Sequence, residues 1–464
     1  MIFPTVEFAI FFPLVLGLSW LLMPYPKVWK PFILICSYAF YAASEVKFCL
    51  LLFALTAVNQ FSVDMMHRFE DDRIRKRFML VTVVFDIGVL VVFKYYGFFS
   101  TEINALLTDF GLGLSVPLAA IAIPLGVSFF VFQSISRSVD VYRRKIDGGN
   151  FLDGALYLSF FPHVVAGPIV RAAEFLPQLQ TPRSIKNIPV GAAVGLIAMG
   201  LVKKVAIADY LAREIVDPVY AVPSAYNAAD VLLASYAYTA QIFCDFSGYT
   251  DIAIGVALLM GFVFPQNFHR PYAQLSVGKY WNNWHMTLSR FFRDFIYIPL
   301  GGNRRGKWIN YRNLFLTMLI AGLWHGAAFT FIVWGALHGL AVAVERALQD
   351  KWQAPTWLRW LYAFHMIVFL FIIFRSPSFA IVGDMYAQLV DFSGPTQMWT
   401  FPVLLCVVLV IGLQLVPENL IDRVRLRIEA APPVALGTGL AIVIMFVAAT
   451  VPSQGVPPFI YFQF

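Results

Sequence analysis

The chain has 464 residues, of which 59% are hydrophobic and only 13% are charged. In a soluble domain about a quarter of all residues are charged, so this composition excludes a soluble protein. In lipid the backbone polar groups have no water partners, and only helices or a closed barrel satisfy them. Apolar runs of about 20 residues favour helices over short alternating strands. We therefore expect an all-α polytopic membrane protein.

Apolar segments recur along the whole chain. Met1–Met23 lacks the basic residues that precede a cleavable signal, which indicates a retained first span. Several segments are too short for a full crossing, so we expect about 11 to 13 crossing helices, with the others re-entrant or interfacial. No internal repeat is visible, and we expect a single membrane domain over residues 1–464. The candidate spans are residues 6–23, 31–43, 46–66, 78–97, 117–136, 151–170, 189–208, 229–244, 248–264, 312–328, 330–347, 358–375, 400–416 and 434–451.

Lysine and arginine residues orient these spans. They cluster after the first, third and fifth spans, at residues 27–30, 67–77 and 137–145, whereas the links at 44–45 and 97–115 contain none. Because basic loops stay cytoplasmic, this alternation places the N-terminus outside. The net charge of +7 fits such loops and gives no argument for nucleic acid.

The C-terminal end follows the same rule. Arg423, Arg425 and Arg427 are expected inside, so the last span places a C-terminal aromatic tail, Pro452–Phe464, outside. Its last six residues include four aromatics and are too few to span the membrane. They either pack on the surface or insert into a cavity from the outer face.

The strongest candidate for chemistry is His325. It lies in the apolar run Leu314–Val344, which contains two histidines, His325 and His338, and no Asp, Glu, Lys or Arg. A titratable group at membrane depth is a functional candidate. As one helix the run would extend roughly 46 Å, against an apolar core of ~30 Å, so we expect a break near Gly322 or Gly326. A packed structural histidine is the alternative, and it is what we expect of His338.

A second histidine lies in the aromatic stretch Tyr280–Phe295. At helical spacing Trp281, Trp284 and His285 share the apolar side, which predicts an amphipathic interfacial helix. His285 is either a functional group or a packed side chain bonded to a carbonyl.

The segment Gly301–Lys307 combines glycines with Arg304, Arg305 and Lys307. Glycines let backbone amides approach an anion, and the cations add charge. The segment could hold the phosphates of a nucleotide-like ligand, although it matches no Walker or Rossmann spacing. The alternative is an ordinary basic cytoplasmic loop.

Two carboxylates, Asp245 and Asp251, lie in the apolar stretch Gln241–Gly255. Each is costly in lipid and should line a polar cavity or pair with an arginine, with a proton path as the lesser alternative. We expect Ser247–Thr250 to break the helix. The four cysteines show no metal-type spacing, and we expect no metal site.

These segments together resemble the membrane-bound O-acyltransferase (MBOAT) family, in the bacterial branch that contains the membrane subunit of alginate O-acetyltransferase. The resemblance implies a funnel of helices around a central tunnel, with His325 as the near-invariant histidine and His285 as the second active-site position. The departure is Asn282-Asn283, where alginate-type members tend to have arginines, and it loosens the substrate assignment. The matching stretches are Phe161–His163, Ala166–Pro168, Gln241–Gly255, Trp281–Leu288, Gly301–Arg304, Tyr311–Leu314, Leu323–Gly326 and Phe459–Phe464.

Similar proteins take acetyl from cytoplasmic acetyl-CoA and pass it to an extracytoplasmic acetyltransferase- or esterase-like partner. That partner acetylates alginate, cellulose or peptidoglycan. A related system that D-alanylates teichoic acid uses a C-terminal aromatic motif with a central tyrosine as acyl carrier, and Tyr461 fits that pattern. The resemblance thus implies a bacterial inner-membrane acetyltransferase for an envelope or exported polysaccharide, alginate first, with Tyr461 as a candidate relay.

In this scheme His325 is the base, and His285 orients the thioester or stabilises the oxyanion. The tunnel is walled by Trp281, Trp284 and Trp324, and the anionic end of CoA is bound by Arg304, Arg305 and Lys307. The competing functions are D-alanyl transfer, a proton-coupled transporter using the aspartates and histidines, and a scaffold for extracytoplasmic enzymes. A transporter often shows repeated halves, and none is visible here.

Overall fold

The computed structural model describes residues 1, 3–118, 121–181, 183–348, 353–451, 457 and 459–460. Within these ranges the regular structure is helical and contains no strand. The chain divides into two compact units, Met1–Pro189 with Val256–Pro265, and Val190–Gly255 with Gln266–Phe464.

The first unit contains eight helices within the described ranges. A π-helical turn, Val91–Tyr95, joins α4 to α5, so that Asp72–Asp109 is a continuous apolar helix of 38 residues. His163 is buried here and contacts the Tyr157 carbonyl oxygen at 2.7 Å through Nε2. The helices are α1 (Val6–Leu22), α2 (Pro26–Ala42), α3 (Lys47–Arg68), α4 (Asp72–Leu90), α5 (Tyr96–Asp109), α6 (Val127–Tyr142), α7 (Phe151–Ser159) and α8 (Ala172–Gln180).

The second unit carries the candidate site residues. Two π-helical segments, Val202–Ala208 and Ala212–Val216, connect its first three helices into one apolar run. The helices are α9 (Val190–Leu201), α10 (Asp209–Leu211), α11 (Asp217–Ala221), α12 (Ala228–Leu259, whose last four residues belong to the first unit), α13 (Val277–Asn283), α14 (Met286–Phe292), α15 (Lys307–His325), α16 (Phe329–Leu348), α17 (Thr356–Arg375), α18 (Phe379–Gln388), α19 (Phe401–Leu415), α20 (Glu418–Glu429) and α21 (Pro433–Thr450).

Seven helices in the described residues are long and apolar enough to cross a membrane, or eight if the bent pair α19–α20 counts as one span. The expected all-α polytopic membrane protein is confirmed, with seven or eight such helices in the described residues where 11 to 13 crossings were expected. The pair α19–α20 bends by 102°, and α20 has no buried residue. Its amphipathic sequence is typical of an interfacial helix.

The predicted break at Ser247–Thr250 is wrong, because α12 is continuous over 32 residues. Gly248 serves a close helix contact instead. A Cβ on Gly248 would lie 2.8 Å from the Gly200 carbonyl oxygen, and one on Gly200 would lie 2.5 Å from that of Gly248. Small residues at such points let two membrane helices approach closely.

Helices α15 and α16 pack through glycines in the same way. A Cβ on Gly335 would lie 2.6 Å from the Met318 carbonyl oxygen, and one on Gly339 would lie 2.9 Å from that of Phe315. Gly335 and Gly339 are four residues apart and so lie on one face of α16. This contact packs α16 closely against the middle of α15, the helix that ends at His325.

We predict that Gly335→Val destabilises the protein by about 1–3 kcal/mol or more, because the added side chain meets backbone that cannot move aside. The measurement is the thermal unfolding midpoint of the purified protein in detergent. Gly412→Val, in α19, is the matched control, since a Cβ there has no neighbour within 4 Å. Equal midpoints for the two variants would contradict the packing argument.

Candidate active site

His325 is the last residue of α15. Gly326 follows in an extended conformation, and α16 begins at Phe329. The predicted break near Gly326 is thereby confirmed. Gly326 leaves room for the ring of Phe331, which a Cβ at that position would strike. The short connection holds the imidazole at a helix end, inside the protein.

Aromatic rings surround the His325 imidazole, which is 2% exposed. The ring centroids of Trp324, Trp334 and Phe374 lie 4.9, 5.1 and 5.1 Å from it, all edge-to-face. Such surroundings exclude water and hold the ring orientation by packing. They give a desolvated imidazole, which is the environment expected of a base in a closed active site.

The predicted interfacial helix over Tyr280–Phe295 is wrong, because the chain breaks between α13 and α14. His285 occupies the break with a φ of +43°, a left-handed backbone conformation that residues other than glycine rarely adopt. Asn267 holds the turn: its Oδ1 accepts from the Thr287 hydroxyl at 2.9 Å and from the Thr287 amide at 3.2 Å. Backbone strain of this kind costs about 1–3 kcal/mol and clusters at functional sites.

Trp324 lies between the two histidines. Its ring centroid is 6.1 Å from that of His285 and 4.9 Å from that of His325. His285 is fully buried, and its ring stands 4.6 Å from Phe246 on the other side. The structure therefore brings together the two histidines and one of the three predicted wall tryptophans.

The other two predicted wall tryptophans, Trp281 and Trp284, pack against other side chains. Trp281 donates from Nε1 to Nδ1 of His338 at 3.2 Å. Trp334 links this pair to the site, with its ring 4.6 Å from His338 and 5.1 Å from His325. Because an indole only donates, a neutral His338 ring carries its proton on Nε2. His338, expected to be structural, thus belongs to the aromatic wall behind His325.

Trp284 packs into the core beside the site. Its ring centroid lies 5.0 Å from Phe268, 5.5 Å from Tyr280 and 5.8 Å from Phe371. The side chain is buried. These contacts support the elements that carry the histidines.

Arg304, Arg305 and Lys307 are exposed at the other end of α15 from His325. Buried Asn313 fixes their loop by donating to the carbonyl oxygens of Leu300 at 3.2 Å and Gly302 at 2.9 Å. The 19-residue helix separates the loop from the histidine by roughly 27 Å at 1.5 Å per residue. Only an elongated ligand could contact both.

Two described residues of the C-terminal tail, Phe459 and Ile460, are buried. Phe459 is 1% exposed, and its ring lies 5.0 Å from Tyr249 and 5.3 Å from Phe246. The Ile460 amide donates to Oδ2 of Asp245 at 2.9 Å. These two residues are therefore packed against α12 inside the protein and not on its surface, whereas insertion from the outer face stays a prediction. Tyr461 lies outside the described residues.

Asp245 and Asp251, the two carboxylates singled out in α12, are paired with lysines rather than with the expected arginine. Lys204 Nζ lies 2.6 Å from Asp245, and Lys203 Nζ lies 2.7 Å from Asp251. The two lysines come from the π-helical segment Val202–Ala208. The sequence holds a signal for these lysines that the predictions above did not use. Two adjacent cations within an apolar run require partners, as the two aspartates do.

Asn267 is a further residue that the sequence did not reveal. A lone amide in the loop after α12 has no distinguishing pattern, and only the structure places it against Thr287. Within the described residues no group of three or more His, Cys, Asp or Glu side chains is placed to hold a metal ion.

The chain matches known proteins over most of its length. The model of MBOAT, the membrane-bound O-acyltransferase family, matches residues 33–382. A probable alginate O-acetylase of Pseudomonas aeruginosa is 40% identical over 82% of this chain and 73% of its own length. That of Azotobacter vinelandii is 35% identical over 98% of both chains. A peptidoglycan O-acetyltransferase of Helicobacter pylori is 34% identical over 76% of this chain and 72% of its own.

Proposed function

Because the chain belongs to the membrane-bound O-acyltransferase family, we propose that it transfers acetyl from cytoplasmic acetyl-CoA to an extracytoplasmic partner. That partner, an acetyltransferase- or esterase-like protein, O-acetylates an exported or envelope polysaccharide. The observation that carries the proposal is the buried pair His285 and His325 around Trp324, with an inserted tail nearby. The chain itself is a multi-pass membrane O-acyltransferase.

In the first step His325 is the general base. It takes the phenol proton of Tyr461, whose oxygen attacks the acetyl carbonyl of the thioester. The carbon–sulfur bond breaks, and the CoA thiolate leaves with the proton from the imidazolium. His285 orients the thioester and stabilises the oxyanion. Trp281, Trp284 and Trp324 are proposed to wall the tunnel in which this happens.

In the second step the acetyl group leaves Tyr461 for a hydroxyl of the partner. The phenyl ester is broken, a new ester forms, and the phenol regains a proton. A phenol ionises near pH ~10, whereas a sugar hydroxyl is a far weaker acid. The tyrosine is therefore a nucleophile that a histidine can activate, and its ester stays reactive enough for a second transfer.

The membrane topology expected from the sequence is consistent with this sequence of steps. Basic loops place Arg304, Arg305 and Lys307 in the cytoplasm, where they would bind the anionic end of CoA. The same rule favours both termini outside, and we propose a bacterial inner membrane as the location. We assign the reaction to one membrane domain, residues 1–464, with the tail 452–464 on the acceptor side.

Alginate is the first candidate for the polysaccharide, since relatives named as probable alginate O-acetylases match most of the chain. Peptidoglycan is the next, from the Helicobacter pylori relative, and cellulose is an alternative implied by the family resemblance. D-alanyl transfer to teichoic acid is the nearest rival in the same enzyme class. For a proton-coupled transporter, the pairing of Asp245 and Asp251 with lysines is unfavourable, because it neutralises the carboxylates that a proton path needs.

We predict that His325→Ala lowers acetylation of the polysaccharide by about 100- to 10,000-fold, the usual contribution of a general base. The measurement is the ester content of the exported polymer, with protein abundance in the membrane recorded in parallel. His365→Ala is the matched control, because His365 is a half-buried histidine of α17 bonded to Tyr236. Normal acetylation in His325→Ala would refute the assignment of the base.

We predict that labelled acetyl-CoA gives a covalent acetyl adduct on Tyr461 when no partner protein is present. Tyr461→Phe removes the oxygen nucleophile, so both the adduct and polymer acetylation should disappear. Mass spectrometry of the C-terminal peptide measures the adduct. Full polymer acetylation by Tyr461→Phe would remove the relay from the mechanism and leave direct transfer to the partner.

We predict that Arg304→Gln with Arg305→Gln raises the KM for acetyl-CoA by about tenfold, the equivalent of one lost charge-assisted hydrogen bond, and leaves kcat unchanged. Arg423→Gln with Arg427→Gln on α20 removes two arginines elsewhere and is the control. An unchanged KM in the loop variant would show that the loop does not bind the donor.

A further inference from the structure

A buried ion cluster lies beside the candidate active site. Lys204 Nζ is 2.6 Å from Oδ1 of Asp209 and 2.6 Å from Oδ1 of Asp245, and the three side chains are at most 5% exposed. We refer to these three residues as the lysine–aspartate cluster. It holds one cation against two carboxylates, and burying such charges is costly unless each is paired and hydrogen-bonded.

The C-terminal tail supplies a hydrogen bond that this excess of carboxylate requires. The two oxygens of Asp245 have different partners: Oδ1 contacts Lys204, and Oδ2 accepts from the Ile460 amide at 2.9 Å. A carboxylate that accepts from a backbone amide makes a charge-assisted bond, stronger than one between neutral groups. Asp245 thereby joins the cluster to the main chain of the tail.

Phe459, the residue before Ile460, adds an aromatic contact between the tail and α12. Phe459 stacks on Tyr249 at 5.0 Å, and its ring lies 5.3 Å from Phe246. Phe246 in turn stands 4.6 Å from the imidazole of His285. Asp245, Phe246 and Tyr249 all belong to α12, so one helix contacts the tail and the active-site histidine together.

We propose that the lysine–aspartate cluster is a docking site for the tail and fixes its register. The cluster holds the main chain at Ile460, and the α12 aromatics hold the ring of Phe459. Asp245 and Lys204 are thus positioning residues for the residue that follows, Tyr461. The docking site is independent of the proposed function, and only its use for acyl transfer rests on the role proposed for Tyr461.

The chain offers a matched pair of variants for this test. Asp245→Asn removes the charge that holds the amide, while Lys204 keeps Asp209 as a balanced partner. Asp251→Asn removes a similar carboxylate from the same helix, which is paired with Lys203, whereas the Ile460 amide bonds to Asp245. The measurement is the amide hydrogen-exchange rate of the C-terminal peptide, determined by mass spectrometry on the full chain in detergent.

We expect the peptide to exchange about tenfold faster in Asp245→Asn, the scale of one lost charge-assisted hydrogen bond, and at the wild-type rate in Asp251→Asn. Equal exchange in wild type and Asp245→Asn would overturn the docking site. If Asp245→Asn fails to fold, Ile460→Pro replaces it. Proline removes the amide donor at the tail and leaves the cluster intact.

The use of the docking site is tested separately, by acetyl labelling of Tyr461. Ile460→Pro should lower labelling at saturating acetyl-CoA by about tenfold, without a change in KM, and Ile460→Val, which keeps the amide, should restore it. Wild-type labelling in Ile460→Pro would overturn the claim that the amide sets the register. No labelling in the wild type would defeat the proposed relay alone, and the exchange result would still decide the docking site.

Discussion

The contact of Trp324 with both His285 and His325 is the interaction on which the site depends. His325 is the last residue of α15, and His285 occupies a strained turn between α13 and α14, so both histidines lie at helix ends. Packing of aromatic rings on both imidazoles fixes their orientation there. The same rings exclude water from the surroundings of both imidazoles.

Charge pairing in lipid is the second constraint, and it ties the tail to the same helix. Lys203 and Lys204 each lie against an aspartate of α12, as hydrocarbon surroundings require. The second pair carries an additional aspartate and a backbone amide from the tail. The need to pair buried charges in the membrane thus places a carboxylate inside the protein, and this carboxylate can bind the backbone of a peptide segment.

The sequence predicted the features that follow from length and hydrophobicity. The all-α membrane architecture and the break after His325 follow from the apolar runs, and the structure confirms both. The bounds of single spans were less predictable, since residues 229–244 and 248–264 form one helix. Local chemistry was less predictable. Helical periodicity could not reveal the turn at His285, because Asn267, in a separate loop, holds it. Gly248 was mistaken for a helix breaker, since its contact with Gly200 is visible only in three dimensions.

The most direct test of the central claim is a single-turnover measurement of CoA release from acetyl-CoA by the purified protein, without partner or polysaccharide. The account predicts a rapid burst of up to one CoA per protein in the wild type and no burst in His325→Ala. A burst of the same size and rate in His325→Ala would contradict a catalytic role for the buried histidine.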